Sequence, residues 1–146
     1  MLVKPLADIQ EAIRSVELRE EFDLIVAVAR GGIIPATMLQ ARLGCDLEWL
    51  WLNFRADDQT PVRPRPELVR PITFAFQDKR ILLVDDRSTS GSTLGRARDL
   101  LAGARVVKTL VVNGRADYSL FDDECFYFPW RMDIPPGTKT ETKESP

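Results

Sequence analysis

Two aspartates, Asp85 and Asp86, stand at the end of an apolar run and open the segment Arg87-Ser88-Thr89-Ser90-Gly91-Ser92-Thr93. Paired carboxylates can accept hydrogen bonds from vicinal hydroxyls or hold a hydrated Mg²⁺. The small, hydroxyl-rich stretch that follows leads into a helical pattern and suits an anion. A helix N-terminus offers unpaired N–H groups and partial positive charge, and Gly91 lets the backbone approach closely. The hydroxyls of Thr89, Ser90, Ser92 and Thr93 add donors for phosphate oxygens. Acids for hydroxyls beside a loop for phosphate describe a sugar phosphate as ligand. Arg30-Gly31-Gly32 closes another apolar run, and residues 55–71 hold four prolines and four arginines.

The elements that must position these segments alternate in type. Leu24 to Ala29 (LIVAVA) is short, β-branched and apolar on both faces, which predicts a strand of a covered parallel sheet. Ile81 to Val84 and Val106 to Val112 read the same way, Leu47 to Phe54 is a further strand, and Cys125 to Phe128 a fifth. Helical spacing predicts an opening helix over about 8–21, from Leu6, Ile9, Ile13 and Val16 with Asp8 and Glu11 as a capping pair. A second helix runs from Pro35 to a stop at Gly44, with Ala36, Leu39 and Leu43 inward. A third carries Leu94, Ala97, Leu100 and Leu101 on one side and stops at Gly103. Residues 55–71 read as a mobile loop or β-arm, and the tail after Ile134 as too poor in apolar residues to fold. Strands alternating with helices imply a parallel sheet with helices on both faces, whose ligands bind beyond the carboxyl ends of the strands. The three unusual segments fall at that edge.

Composition narrows the chemistry. The 146 residues predict one domain and contain no histidine, so Ser-His-Asp hydrolysis, Cys-His proteolysis and His-ligated zinc are excluded. With 20 basic against 22 acidic residues there is no broad basic footprint for nucleic acid. No apolar run approaches the roughly 18 to 20 residues of a membrane span. The opening MLVKPLADIQ lacks an apolar signal core, and Cys45 and Cys125 lie far apart, so the expectation is two free thiols in a reducing cytoplasm. A Walker A loop needs a lysine that the Asp85–Thr93 segment lacks. The acid pair of a response-regulator receiver opens its chain, whereas this one comes late.

Ile81 to Leu94, ILLVDDRSTSGSTL, resembles the phosphoribosyl-diphosphate (PRPP) binding motif of the type I phosphoribosyltransferases: an apolar strand, two acids, and a short loop with a central Ser-Gly. VARGGIIPA, Val28 to Ala36, looks like the family's pyrophosphate loop. Phe128-Pro129-Trp130 is similar to the end of the small xanthine-guanine type members. The resemblance covers about residues 8–132. It implies an α/β, parallel-sheet type I phosphoribosyltransferase fold with a small C-terminal hood. The domain would span 1–133, with 55–71 as a lid, about 113–132 as the hood and 134–146 as a disordered tail. The implied activity is that of a Mg²⁺-dependent pentosyltransferase of nucleotide salvage, moving the ribose 5-phosphate of PRPP to a nucleobase, a purine first, and releasing pyrophosphate.

The resemblance also implies residue roles. Asp85 and Asp86 would hold the ribose hydroxyls and Mg²⁺, and Thr89, Ser90, Gly91, Ser92 and Thr93 the 5-phosphate. Ala29, Arg30, Gly31 and Gly32 would bind pyrophosphate, with a cis peptide at Ala29-Arg30 and help from Arg55, Arg63 or Arg65 of the lid. Asn113, Phe126 and Trp130 would meet the base, core or interface packing being the alternative for both aromatics. Two positions depart from the purine enzymes: Thr89 stands where an aspartate is expected and Asn113 where a lysine is. Both remove charge from the base site, leaving neutral hydrogen bonds and Arg115 as an alternative cation. The readings are therefore an enzyme, a catalytically weak or inactive PRPP-binding regulator, or the bare fold. Family members commonly pair, and Leu47 to Phe54, with Trp49 and Trp51, offers an apolar patch for a homodimer.

Overall fold

In a computed structural model of the chain, residues 1–53 and 66–142 are described. The two wholly apolar runs form the middle of the sheet. β1 (Leu24–Ala29) is buried throughout and pairs in parallel with β4 (Arg80–Ser88). Beyond β1 lies β2 (Asp46–Asn53), edged by the short antiparallel β3 (Glu67–Leu68). Beyond β4 lie β5 (Val106–Gly114) and then β6 (Tyr118–Phe121), both parallel to it, giving the order β3-β2-β1-β4-β5-β6. Period-two alternation sends Ile25, Ala27, Leu82, Val84, Leu110 and Val112 to one face. There they pack with Ile9 and Ile13 of α1 (Leu6–Ser15) and Ala36 and Leu39 of α2 (Ile33–Leu43). Leu24, Val26, Val28, Ile81, Leu83 and Val111 face the other way, onto Leu94 and Ala97 of α3 (Ser92–Leu100) and Leu101 at its end. Each buried valine, leucine or isoleucine among them contributes about 1.5–3 kcal/mol by leaving water, the alanines less. The fold class expected from the sequence is the one observed, and the carboxyl ends of β1, β2, β4 and β5 share one edge.

Several boundaries differ. α1 ends at Ser15 rather than near 21, because Val16 is extended (φ −59°, ψ 128°), and Pro5 caps it without a side-chain hydrogen bond, so Asp8 and Glu11 form no capping box. α2 starts at Ile33, two residues before Pro35. β4 continues through both aspartates to Ser88 because β5 keeps pairing with it, Arg87 opposite Asn113 and Ser88 opposite Gly114. The last strand is Tyr118–Phe121, not Cys125–Phe128; Phe126 and Phe128 are core side chains instead. The segment expected to be a disordered tail is placed through residue 142. Val3 pairs with Thr140, its N–H donates to the Lys139 carbonyl (2.9 Å), and the Glu141 N–H donates to the Val3 carbonyl (2.8 Å). Residues 143–146 and most of the proposed lid, 54–65, lie outside the described residues. No helix among the described residues is long and apolar enough to cross a membrane.

The turn from β5 to β6 is pinned by Asp117, whose Oδ2 accepts from the Thr109 N–H (2.9 Å), Thr109 Oγ1 (3.1 Å) and Arg98 Nη2 (3.1 Å). Burial raises its pKa, but the Thr109 hydrogen bonds and the Arg98 charge outweigh that and leave it below the ordinary value. A carboxylate lowered by folding contributes stability that is full above its unfolded pKa of about 3.9 and lost as pH falls through the folded value. Urea midpoints compared at pH 6 and pH 3 are therefore expected to fall less for Asp117→Asn than for the wild type.

Candidate active site

Because the strands are parallel, the loops leaving β1 and β4 meet at one edge, where a cleft of about 1130 Å³ opens. Ala29, Arg30, Gly31, Asp85, Asp86 and every residue from Arg87 to Thr93 line it, together with Trp51 of β2, Trp130 and Arg131. The peptide bond between Ala29 and Arg30 is cis. Gly32, expected with this group, caps α2 and does not line the cleft. Its missing side chain serves packing, since a Cβ there would fall 2.2 Å from the Val84 carbonyl oxygen.

The acid pair is held at the end of β4. Asp85 is 7% exposed, and its Oδ1 accepts from the Asp86 N–H at 2.8 Å. Burial first, then the neighbouring Asp86 carboxylate, pushes the Asp85 pKa well above the usual carboxylate range. Asp86 reaches toward the β1 loop, where a Cβ on Gly31 would lie 2.6 Å from its Oδ2. The two motifs that were separate in sequence are thus in contact through one carboxylate and one glycine. Among the described residues no group of three or more acidic or thiol side chains could hold a metal. Two adjacent carboxylates match the way Mg²⁺ is bound, through one or two carboxylates with the remaining positions taken by water and substrate oxygens.

The hydroxyl loop turns at Gly91, whose φ of 79° lies in the left-handed region, and α3 starts at Ser92 with no acidic residue in its first turn. Ser90 Oγ donates to Ser92 Oγ (2.9 Å) and accepts from the Ser92 N–H (3.3 Å), which shapes the loop around the helix end. The Ser92 N–H is taken by Ser90 Oγ, and no acidic side chain of the first turn competes with an anion for the other helix N–H groups.

Trp130 and Phe128, also in the cleft lining, stack with rings 5.2 Å apart and 6° from parallel. A side cavity of about 260 Å³ joins at Thr89 and is lined by Arg87, Ser88, Asn113, Gly114, Arg115, Asp122, Asp123 and Cys125. Asn113 is there, but its amide is committed: Oδ1 accepts from the Asp123 N–H (3.0 Å), and Nδ2 reaches the carbonyls of Asp123 and Glu124. Phe126 lines neither cavity and is 3% exposed in the core. Its burial among Phe121, Phe128 and Lys4 is tertiary and has no local sign. Arg55, Arg63 and Arg65 lie outside the described residues.

Arg87, which the sequence reading passed over, lines both cavities. Its Nη2 donates to the Phe126 carbonyl (2.8 Å), its guanidinium lies 5.1 Å from the centre of the Phe128 ring, and its buried Nε has no partner among the described residues. One signal pointed to it: a ligand that spans the acid pair and the hydroxyl loop must pass the residue between them. Arg131 and Asp133, also on the cleft wall, form a two-pronged ion pair that holds the Asp133 carboxyl below its ordinary range.

Comparisons with known proteins bear on the family and the fold. The family model described as "Phosphoribosyl transferase domain" matches residues 5–133. The xanthine-guanine phosphoribosyltransferase of Gluconobacter oxydans (strain 621H) is 35% identical over 82 residues, 55% of this chain and 48% of that protein. An orotate phosphoribosyltransferase of Sulfurisphaera tokodaii is 28% identical over 99 residues, 66% of this chain and 46% of that protein. The matches span about half the length of these two relatives. The crystal structure of a purine phosphoribosyltransferase from Pyrococcus horikoshii Ot3 superposes with a TM-score of 0.75 at 28% identity, covering 99% of this chain and 98% of that one. A family match over nearly the whole chain, on a fold with both loops in place, makes this protein a member of the phosphoribosyltransferase family.

Proposed function

We propose that the chain transfers the ribose 5-phosphate of PRPP to a purine base and releases pyrophosphate. The observation that carries the reading is the meeting of the Ala29–Gly31 loop, the Asp85–Asp86 pair and the Ser88–Thr93 loop in one cleft. A sugar bearing phosphate at one end and pyrophosphate at the other needs those three surfaces side by side. The N–H groups and hydroxyls of Ser90 to Thr93 bind the 5-phosphate at the start of α3, and Asp85 and Asp86 accept from the ribose hydroxyls. Arg30 and the Gly31 amide face the pyrophosphate. Departure of pyrophosphate builds positive character on the sugar and negative charge on the leaving group, so a guanidinium and fixed amides aimed at the leaving oxygens lower that barrier. Asp85 and Asp86 would also hold Mg²⁺, which supplies neutralisation of the diphosphate charge when bound.

The purine assignment is supported by the Pyrococcus horikoshii and Gluconobacter oxydans proteins, and the orotate relative makes a pyrimidine the control. Trp130 provides the flat apolar face on which a base stacks. The setting is a reducing cytoplasm, which the free Cys45 and Cys125 support, and a homodimer for which Trp49, 37% exposed on β2, is the apolar feature.

The reading is tested by incubating the protein with PRPP, Mg²⁺ and, in turn, hypoxanthine, guanine, xanthine, adenine and orotate, with chromatography of the nucleotides. Formation of a purine nucleoside monophosphate is the expected outcome. Stabilisation by PRPP in a thermal melt with no nucleotide from any base would replace the enzyme by a PRPP-binding regulator.

A further inference from the structure

Lys4 is a buried cation that none of the site chemistry uses. Its side chain is 4% exposed, and its ammonium pairs with Asp123 (3.1 Å) and Glu141 (3.0 Å). It also lies over the rings of Phe121 and Phe126, 4.4 and 4.7 Å from their centres. An ammonium is costly to bury unless it is paired, and here two carboxylates and two ring faces offset that cost. Burial lowers its pKa, but the hydrogen bonds to Glu141 and Asp123 outweigh it and keep the group charged.

The charge is attached to the side cavity next to Thr89. Asp123, whose carboxylate Lys4 holds, exchanges hydrogen bonds with Asn113, and both residues line that cavity. The second attachment is aromatic. Phe126 under the ammonium meets Phe128 edge-on at 5.4 Å, and Phe128 stacks on Trp130 at the main cleft. Glu141 is itself fixed by the backbone pairing of its segment with Val3, next to Lys4.

We propose that Lys4 is a positioning residue for the acceptor base: held by Glu141, it clamps residues 121–126 against Asn113 and so sets the wall the base meets. The assignment rests on the phosphoribosyl-transfer reading for its substrate and on the contacts alone for the clamp. Lys4 touches no substrate. Its effect falls on the base side, because the acid pair and the phosphate loop are built from β4 and α3, which it does not contact in any of these interactions.

The test uses Lys4→Met, Lys4→Arg and Glu141→Gln in the full chain. Asp123 and Glu141 are 53% and 39% exposed, so water can solvate them once Lys4 is gone, and the Lys4→Met chain is expected to fold. The KM for the base is expected to rise about tenfold in Lys4→Met, as small displacements of a positioning wall do, while the KM for PRPP stays within about twofold. Lys4→Arg recovers most of the loss, and Glu141→Gln falls between. Amide hydrogen exchange without ligand is expected to quicken at 121–126 in Lys4→Met and stay unchanged in β1 and β4. Unchanged exchange at 121–126, or base and PRPP KM values rising together, would overturn the proposal. The exchange measurement does not need turnover, so an inactive wild type would defeat the transfer reading while leaving the clamp to be decided by exchange.

Discussion

Replacing both Asp85 and Asp86 by asparagine is expected to lower transfer roughly a thousandfold or more while leaving the unliganded fold at least as stable as the wild type. The two effects have one cause. Asp85 is 7% exposed and sits beside a second carboxylate, so burial and like-charge repulsion both act against the ionised pair in the absence of ligand. Asparagine keeps the shape, and its carbonyl can still accept the Asp86 backbone N–H that Asp85 Oδ1 accepts at 2.8 Å. What it removes is the negative charge that ribose hydroxyls and a cation require. The urea midpoint without ligand should hold or rise, and stabilisation by PRPP and Mg²⁺ should vanish. Unchanged PRPP affinity in the double variant would refute the ribose assignment.

Gly31→Ala and Gly32→Ala are expected to fail in opposite ways although the residues are adjacent. The three atoms nearest a Cβ on Gly31 all belong to the Asp86 carboxylate, Oδ2 at 2.6 Å and Oδ1 at 2.7 Å. That side chain can swing aside, so stability drops by about 1 kcal/mol. The swing takes Asp86 out of its working position, and transfer falls about a hundredfold. A Cβ on Gly32 meets the carbonyl oxygens of Val84 (2.2 Å) and Val28 (2.9 Å), both main chain of the central strands. Neither can rotate away, and the Gly32 N–H already donates to Val28 at 2.8 Å. Gly32→Ala is therefore expected to cost about 3 kcal/mol, read as a fall in the urea midpoint. The reverse pattern, with Gly31→Ala unfolding and Gly32→Ala folding normally without activity, would contradict this division of roles.

What could be read from the sequence follows from where local chemistry decides the structure. β1 runs Leu24–Ala29 as expected because its residues are apolar on both faces and end at Arg30-Gly31-Gly32. The two site loops were legible for the same reason, being polar, glycine-bearing breaks after apolar strands. β4 was cut short because acids rarely continue a buried strand; only its partner β5, with Val111 opposite Asp85, holds them there. Residues 113–132 are less legible because long-range pairs fix their side chains. Phe126 looks like a stacking aromatic, but Lys4, far away in sequence, covers its ring. Asn113 looks like a base reader, but the 123–124 backbone takes its amide. Thr140 lies in a polar stretch that apolar content says cannot fold, and backbone pairing with Val3 orders it without apolar burial. Arg87 stands where the acid pair ends, and its contacts with Phe126, 39 residues on, and with Phe128 are tertiary.

The most direct measurement is of pyrophosphate and nucleotide together, from the wild-type protein with saturating PRPP, Mg²⁺ and a purine base, against the same mixture without the base. Pyrophosphate is expected to appear only with the base and in one-to-one ratio with the nucleoside monophosphate, both lost in the Asp85→Asn, Asp86→Asn double variant. Pyrophosphate released equally without the base, or none released although PRPP binds, would contradict the transfer reading.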